Sequence, residues 1–317
     1  MSRGRTLAVT TATIAAATAG CGLGPGPASD GEATLTVTRD YGSETLLEAR
    51  DPEPPASETV LRLIDREAEI TTRYGGGFVH SIDGVAGELA DGRSSDWFFF
   101  VNGIESDRGA AEVAVRGGDR IWWDYRDWTN ALRTPAVVGS WPEPFAQASA
   151  GDDRLPVRVV CEGPQAPCHE VAERLGEEGV DAGVESEAAA ARGDGTAPAL
   201  RVLVGPWPAI DDDPAAAQLD AGPQTSGVFA RFTSGPRGWR LLALDTAARP
   251  SARLADGAGL VAAVRDGDEP PTWLVTGTDL DGVEEAVSVL DDAQLARRYA
   301  VAALPGRVVA LPAAGPG

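Results

Sequence analysis

Acid–base or nucleophilic chemistry has few places to sit in this sequence. Its two histidines, His80 and His169, stand apart from any Gly-x-Ser-x-Gly nucleophile elbow, so a Ser-His-Asp triad has no local signature. His80 lies in "FVHSI", where alternation sets it on one strand face with Phe78 and Ile82, a packing position. His169, followed by Glu170, falls in the first turn of an expected helix, a solvated or capping position. All 27 basic residues are arginine, which excludes a P-loop lysine, a Schiff base and a Ser-Lys pair. Carboxylates run together at Asp152-Asp153, Asp211 to Asp213 and Asp291-Asp292. In a chain of net charge -21 such runs are expected in solvated loops and helix starts, not as a glycosidase pair. The Asp211 to Asp213 run also lacks the spaced ligands of a calcium loop. "VTGTDLDG" leads from a strand into a helix N-terminus where an anion could rest, yet one Gly-Thr-Asp turn reads more simply as a plain βα connection. No catalytic residue, cofactor or metal site is expected, and the chain is expected not to be an enzyme.

The three cysteines divide between two roles. Cys21 follows Arg3, Arg5 and the apolar run "LAVTTATIAAATAG", which is too short to span a bilayer, so residues 1–20 read as an export signal. "TAGC" resembles the lipobox of bacterial lipoproteins, with Thr18 in place of the usual Leu; the resemblance implies acylation of Cys21 and an extracytoplasmic protein anchored to the bacterial cell membrane. Residues 21–32, rich in Gly and Pro, then form a tether. Outside the reducing cytoplasm Cys161 and Cys168 are expected to pair, closing a short loop between a strand and a helix. A metal reading that adds His169 lacks a fourth ligand. The strong negative charge excludes nucleic acid as a partner.

Around these residues the expected fold class is α+β, an N-terminal β-grasp-like domain over 33–128 followed by a separate α/β domain over 155–312, with 129–154 as a Pro-rich linker. "TLTVTRD" and "ETLLEAR" read as paired strands. A helix follows, N-capped by Ser57, with Val60, Leu61, Ile64 and Ala68 as its apolar stripe. "DWFFFVNG" and "GGDRIWWDYRDW" complete the sheet. Alternation puts Trp97 and Phe99 on one face and Phe98 and Phe100 on the other, with Trp123 and Tyr125 opposite Trp122, Asp124, Arg126 and Trp128. One helix covers only one face. The other is expected to be a mixed, partly wet aromatic surface, covered by the second domain, by a ligand or by a separate protein. In the α/β half the last long helix is expected to start at a capping box of Asp281 and Glu284.

"GGFVHSIDGVAG", "DWFFFVNG" and "VRGGDRIWWDYRDW", in that order, resemble the C-terminal domain of transcobalamin and intrinsic factor and its bacterial relatives, a domain family of unknown function. In transcobalamin this domain forms one wall of the cobalamin site, so the resemblance implies ligand contacts at Ser81, Ile82, Asp83, Gly84 and Trp97. Trp122 and Trp128 join them if the open aromatic face binds the ligand. The helical barrel that supplies transcobalamin's other wall has no counterpart here, which leaves half a site. The expected function is an exported binding or accessory module that captures a cobalamin-like or other planar organic ligand for a membrane vitamin transporter. The alternative is an envelope protein-protein interaction module.

Overall fold

The computed structural model describes residues 31–315 except 91, 148–153, 187–197 and 255. The expected signal and Cys21 lie outside the described residues. The fold is mixed α+β and strand-rich, built on several separate sheets.

In the first part of the chain, β1 (Ala33–Arg39) and β2 (Glu44–Asp51) form an antiparallel hairpin. Helix α1 (Val60–Glu67) follows, capped by Thr59 rather than Ser57: the Thr59 side chain accepts from the Arg62 amide, and Ser57 instead offers its carbonyl to the Arg62 guanidinium. Strands β3 (Ile70–Arg73), β4 (Phe78–Ile82) and β5 (Val85–Ala86) make a small sheet of their own. Next come β6 (Glu88–Ala90), β7 (Arg93–Val101), β8 (Ile104–Glu105) and β9 (Arg120–Asp127). The main sheet runs β2-β1-β9-β7-β6, with β8 paired to β7, and β1 lies parallel to β9. Its α1 side is a single apolar cluster of Leu35, Val37, Val60, Ile64, Trp97, Phe99 and Trp123. The strand alternation of Trp97 and Phe99 against Phe100 is what sends these rings to opposite faces.

The segment expected as a linker is packed over the part described, 129–147. Val137, Val138, Trp141 and Phe145 are buried, and the last two contact Trp273 at ring separations of 5.7 and 5.1 Å. Pro135, Pro142 and Pro144 deny this stretch regular hydrogen bonding, but an apolar side chain packs from irregular backbone as well as from a strand.

The second part comprises β10 (Val157–Cys161), α2 (Gln165–Glu177), β11 (Ala182–Ser186), β12 (Leu200–Pro206), α3 (Trp207–Ile210), α4 (Pro214–Asp220) and α5 (Pro223–Ser226). A meander of β13 (Ala230–Gly235), β14 (Gly238–Leu244) and β15 (Pro250–Leu254) follows. It leads to β16 (Gly259–Val264), β17 (Thr272–Gly277), α6 (Leu280–Ser288), α7 (Asp292–Leu295), β18 (Ala300–Leu304) and β19 (Arg307–Leu311). Its seven-stranded sheet runs β11-β10-β12-β17-β16-β18-β19, parallel from β11 to β17 and antiparallel beyond. One face packs α2 and α6; Val171 and Val283 meet Val159, Val204 and Val275 there. Cys161 and Cys168 are bonded, joining the end of β10 to the first turns of α2.

Helix α6 begins at Asp279, two residues before the expected capping box. Asp279 Oδ1 accepts from the Gly282 amide and Oδ2 from that of Gly257, so one carboxylate closes the helix end and ties it to the loop before β16.

Candidate binding site

The face of the first sheet opposite α1 is covered by the second half of the same chain. Phe100 and Trp122 pack on each other at 5.3 Å and on Tyr299 at 5.6 and 5.3 Å, while Tyr41 meets Tyr299 and Phe229 at 5.0 and 5.2 Å. Trp122 is only 3% exposed. The backbones close in as well: a Cβ at Gly42 would collide with the Arg297 carbonyl, and one at Gly139 would lie 2.6 Å from the Arg298 amide. The Trp122 ring expected on an open face is thus packed against the second half of the chain.

Nor is the face wet. Asp124 and Arg126 are wholly buried. Asp124 accepts four hydrogen bonds: Oδ1 from Thr38 Oγ1 (2.5 Å) and the Gly42 amide (3.1 Å), Oδ2 from Tyr299 Oη (2.8 Å) and the Tyr41 amide (3.1 Å). Burial pushes its carboxyl up to about 6, against the pull of these donors. Thr38 Oγ1 also accepts from Trp122 Nε1 at 2.7 Å, linking the ring to the carboxylate. Arg126 lies 3.8 Å over the Phe98 ring and donates to Glu105 (3.0 Å) and to the Ala131 carbonyl (2.6 Å). Alternation alone reads polar side chains on a strand as solvent-facing. The one local signal was the interleaving of Asp124 and Arg126 with Trp122, which marks a polar network set among rings.

The residues expected to touch a ligand separate into three environments. Ser81 and Ile82 are buried, Ser81 Oγ sharing a 2.5 Å hydrogen bond with Thr71 Oγ1 and Ile82 joining the α1 core. Asp83 and Gly84 form the exposed turn between β4 and β5, both with positive φ (46° and 81°), and Asp83 Oδ1 accepts from the Glu69 amide. Trp97 is 4% exposed, its Nε1 donating to the Val85 carbonyl at 2.8 Å. The open ligand wall expected from Ser81 to Gly84 with Trp97 is thus replaced by a core residue, a core serine and a turn tip. Trp128 is half-buried and belongs to no ring cluster among the described contacts.

Trp97 does border an opening. A cleft of about 260 Å³ lies between β4, β7 and the loop from Ser106 to Ala110, with Phe78, Val79, Trp97, Phe99 and Trp123 among its lining. Tyr74, 88% exposed, sets its ring 6.2 Å from that of Phe78. On the same outer face His80 Nε2 accepts from Arg73 Nη2 at 2.7 Å, since a guanidinium has no lone pair to offer. Elsewhere, His169 is exposed, and Asp213 caps α4 and pairs with Arg201 at 2.8 Å. Among the described residues no group of three or more His, Cys, Asp and Glu is placed to hold a metal, and no helix is long and apolar enough to cross a membrane.

No curated protein matches the chain. A solved structure from Ruminococcus gnavus ATCC 29149, described as "a putative metal binding protein", aligns with 31% of this chain and 98% of its own length, at 15% identity and a TM-score of 0.25. Residues 57–127, from the approach to α1 to the end of β9, match the family described as Domain of unknown function (DUF4430).

Proposed function

We propose that this chain is a binding protein of the cell envelope, without catalysis of its own, anchored by lipid at Cys21 and taking part of a planar organic ligand into the cleft beside β7. The carrying observation is the cleft itself, an apolar recess walled by Phe78 and Trp97, with the exposed Tyr74 ring 6.2 Å from Phe78. In support of a β-grasp-like reading of this domain stand the order β2-β1-β9-β7-β6 and the parallel pairing of its central strands. A volume of about 260 Å³ falls just below the usual range of small-molecule sites. The cleft accordingly grips one ring or side arm of a cobalamin-like molecule, leaving the remainder free for transfer to a membrane transporter.

Titration of the full chain with cobalamin, riboflavin and a free porphyrin, followed by tryptophan fluorescence and calorimetry, tests this. At least one is expected to bind, and Phe78→Ala to weaken it by about tenfold, roughly 1.4 kcal/mol, with little effect on folding because Phe78 is half-buried. Trp97→Ala is unsuited to the purpose, since it opens a cavity in the α1 core. Absence of heat and quenching with all three ligands at millimolar protein rejects the reading.

A further inference from the structure

Beside the Trp122 seam a second cleft, of about 640 Å³, opens between the two halves of the chain. That size accommodates a one- or two-ring ligand. Strand register orders its wall. Arg50, Thr34 and Arg120 are direct neighbours across β2, β1 and β9, and Glu48, Thr36 and Trp122 form the next row. Thr34 and Thr36 share their face with Thr38 and so point away from α1, as alternation along β1 requires. With neighbouring strands about 4.8 Å apart, the first row sets a hydroxyl between two arginines. The second half contributes Ser140, Asp292 and Arg297.

Three arginines, Arg50, Arg120 and Arg297, gather at this cleft in a chain of net charge -21. Each arginine is held by a carboxylate, Arg50 by Glu32 (2.9 Å), Arg120 by Asp292 (2.6 Å) and Arg297 by Glu48 (3.0 Å), and all three carboxylates are exposed by 41% or more. Such pairs contribute little and yield readily to a better-placed anion. The cleft offers no stacking surface. Trp122 is its one ring, and that indole is already packed on Phe100 and Tyr299 with its N–H given to Thr38. A nucleobase therefore finds nothing to lie on. Guanidinium forks suit phosphate or carboxylate, and threonine and serine hydroxyls, which both donate and accept, suit a polyol.

We propose that this cleft binds an anionic carbohydrate, its phosphate or carboxylate in the Arg50–Thr34–Arg120 row and its hydroxyls against Thr36 and Ser140. The site is independent of the aromatic cleft. Calorimetry on the full chain with glucose 6-phosphate, glucuronate, glucose and inorganic phosphate distinguishes the components. One of the two sugar anions is expected to bind and to raise the melting temperature, with glucose inert and inorganic phosphate weaker by about tenfold. Arg50→Gln should weaken binding by about tenfold while leaving the melting temperature of the free protein unchanged, because the ion pair described for Arg50, with Glu32, lies at the exposed surface. Thr34→Val should weaken it as well. The proposal is overturned if neither sugar anion binds at about 10 mM, if inorganic phosphate binds as tightly as the sugar anions, or if binding is indifferent to Arg50→Gln.

Discussion

Trp122→Ala is expected to lower the unfolding free energy by about 3–5 kcal/mol, the loss typical of a large buried aromatic truncated in a core. The indole lies 5.3 Å from both Phe100 and Tyr299, so its removal opens a cavity at the contact between the two halves. It also deprives Thr38 Oγ1 of the indole N–H, loosening the hydroxyl that donates to Asp124. Chemical denaturation followed by circular dichroism measures the loss. A change under about 1 kcal/mol, the size found at exposed positions, would mean that this ring is not packed as described.

Asp124→Asn is expected to cost about 2–4 kcal/mol. Both carboxylate oxygens face donors, two each, and the amide replaces one oxygen by an NH₂ that can accept from neither. The same residue sets a pH dependence with a definite sign. Its carboxyl is raised to about 6 from an ordinary 3.8, and that of Glu143 to about 7 from 4.5, both chiefly by burial. The native state therefore holds these two protons more tightly than the unfolded chain. Their contribution to stability is fully present below about pH 4 and is lost as pH rises through 6 and 7. The protein should melt higher at pH 5.5 than at pH 8, by an amount bounded at roughly 3 kcal/mol per group. Asp124→Asn should flatten the part of the profile between about pH 4 and 6. Thermal scans across that window decide the matter, and a melting temperature that climbs towards pH 8 would contradict it.

The first sheet was largely legible because its signals are local. Two-residue alternation in "DWFFFV" and "IWWDY" places Phe99 and Trp123 against α1 and Phe100 and Trp122 away from it, as found. The cover of the far face was not legible. It is made by Tyr299 and Phe229, which are more than 100 residues from Trp122 in sequence and carry no mark in their own surroundings of what they will meet. The helix starts show the same limit on a smaller scale. Ser57 and Thr59 are equally good caps by type, and only the tertiary placement of Val60 against the sheet selects Thr59. For the candidate site, resemblance pointed to Trp97, which lines the cleft beside β7. It did not reveal that the ring is anchored inward, its Nε1 donating to the Val85 carbonyl beside the cleft.

The parallel pairing of β1 with β9 sets the order in which this chain can be completed. A polypeptide made from its N-terminus presents β1 some 80 residues before the strand that must lie beside it. Its aromatic back face then waits until Tyr299, far downstream, arrives. During that interval Phe100 and Trp122 are exposed and adhesive, the condition under which nascent chains aggregate or engage chaperones. Two regions that look separable along the sequence thus form one unit of folding, and cutting the chain after β9 leaves the N-terminal sheet with its Tyr299 and Phe229 cover removed.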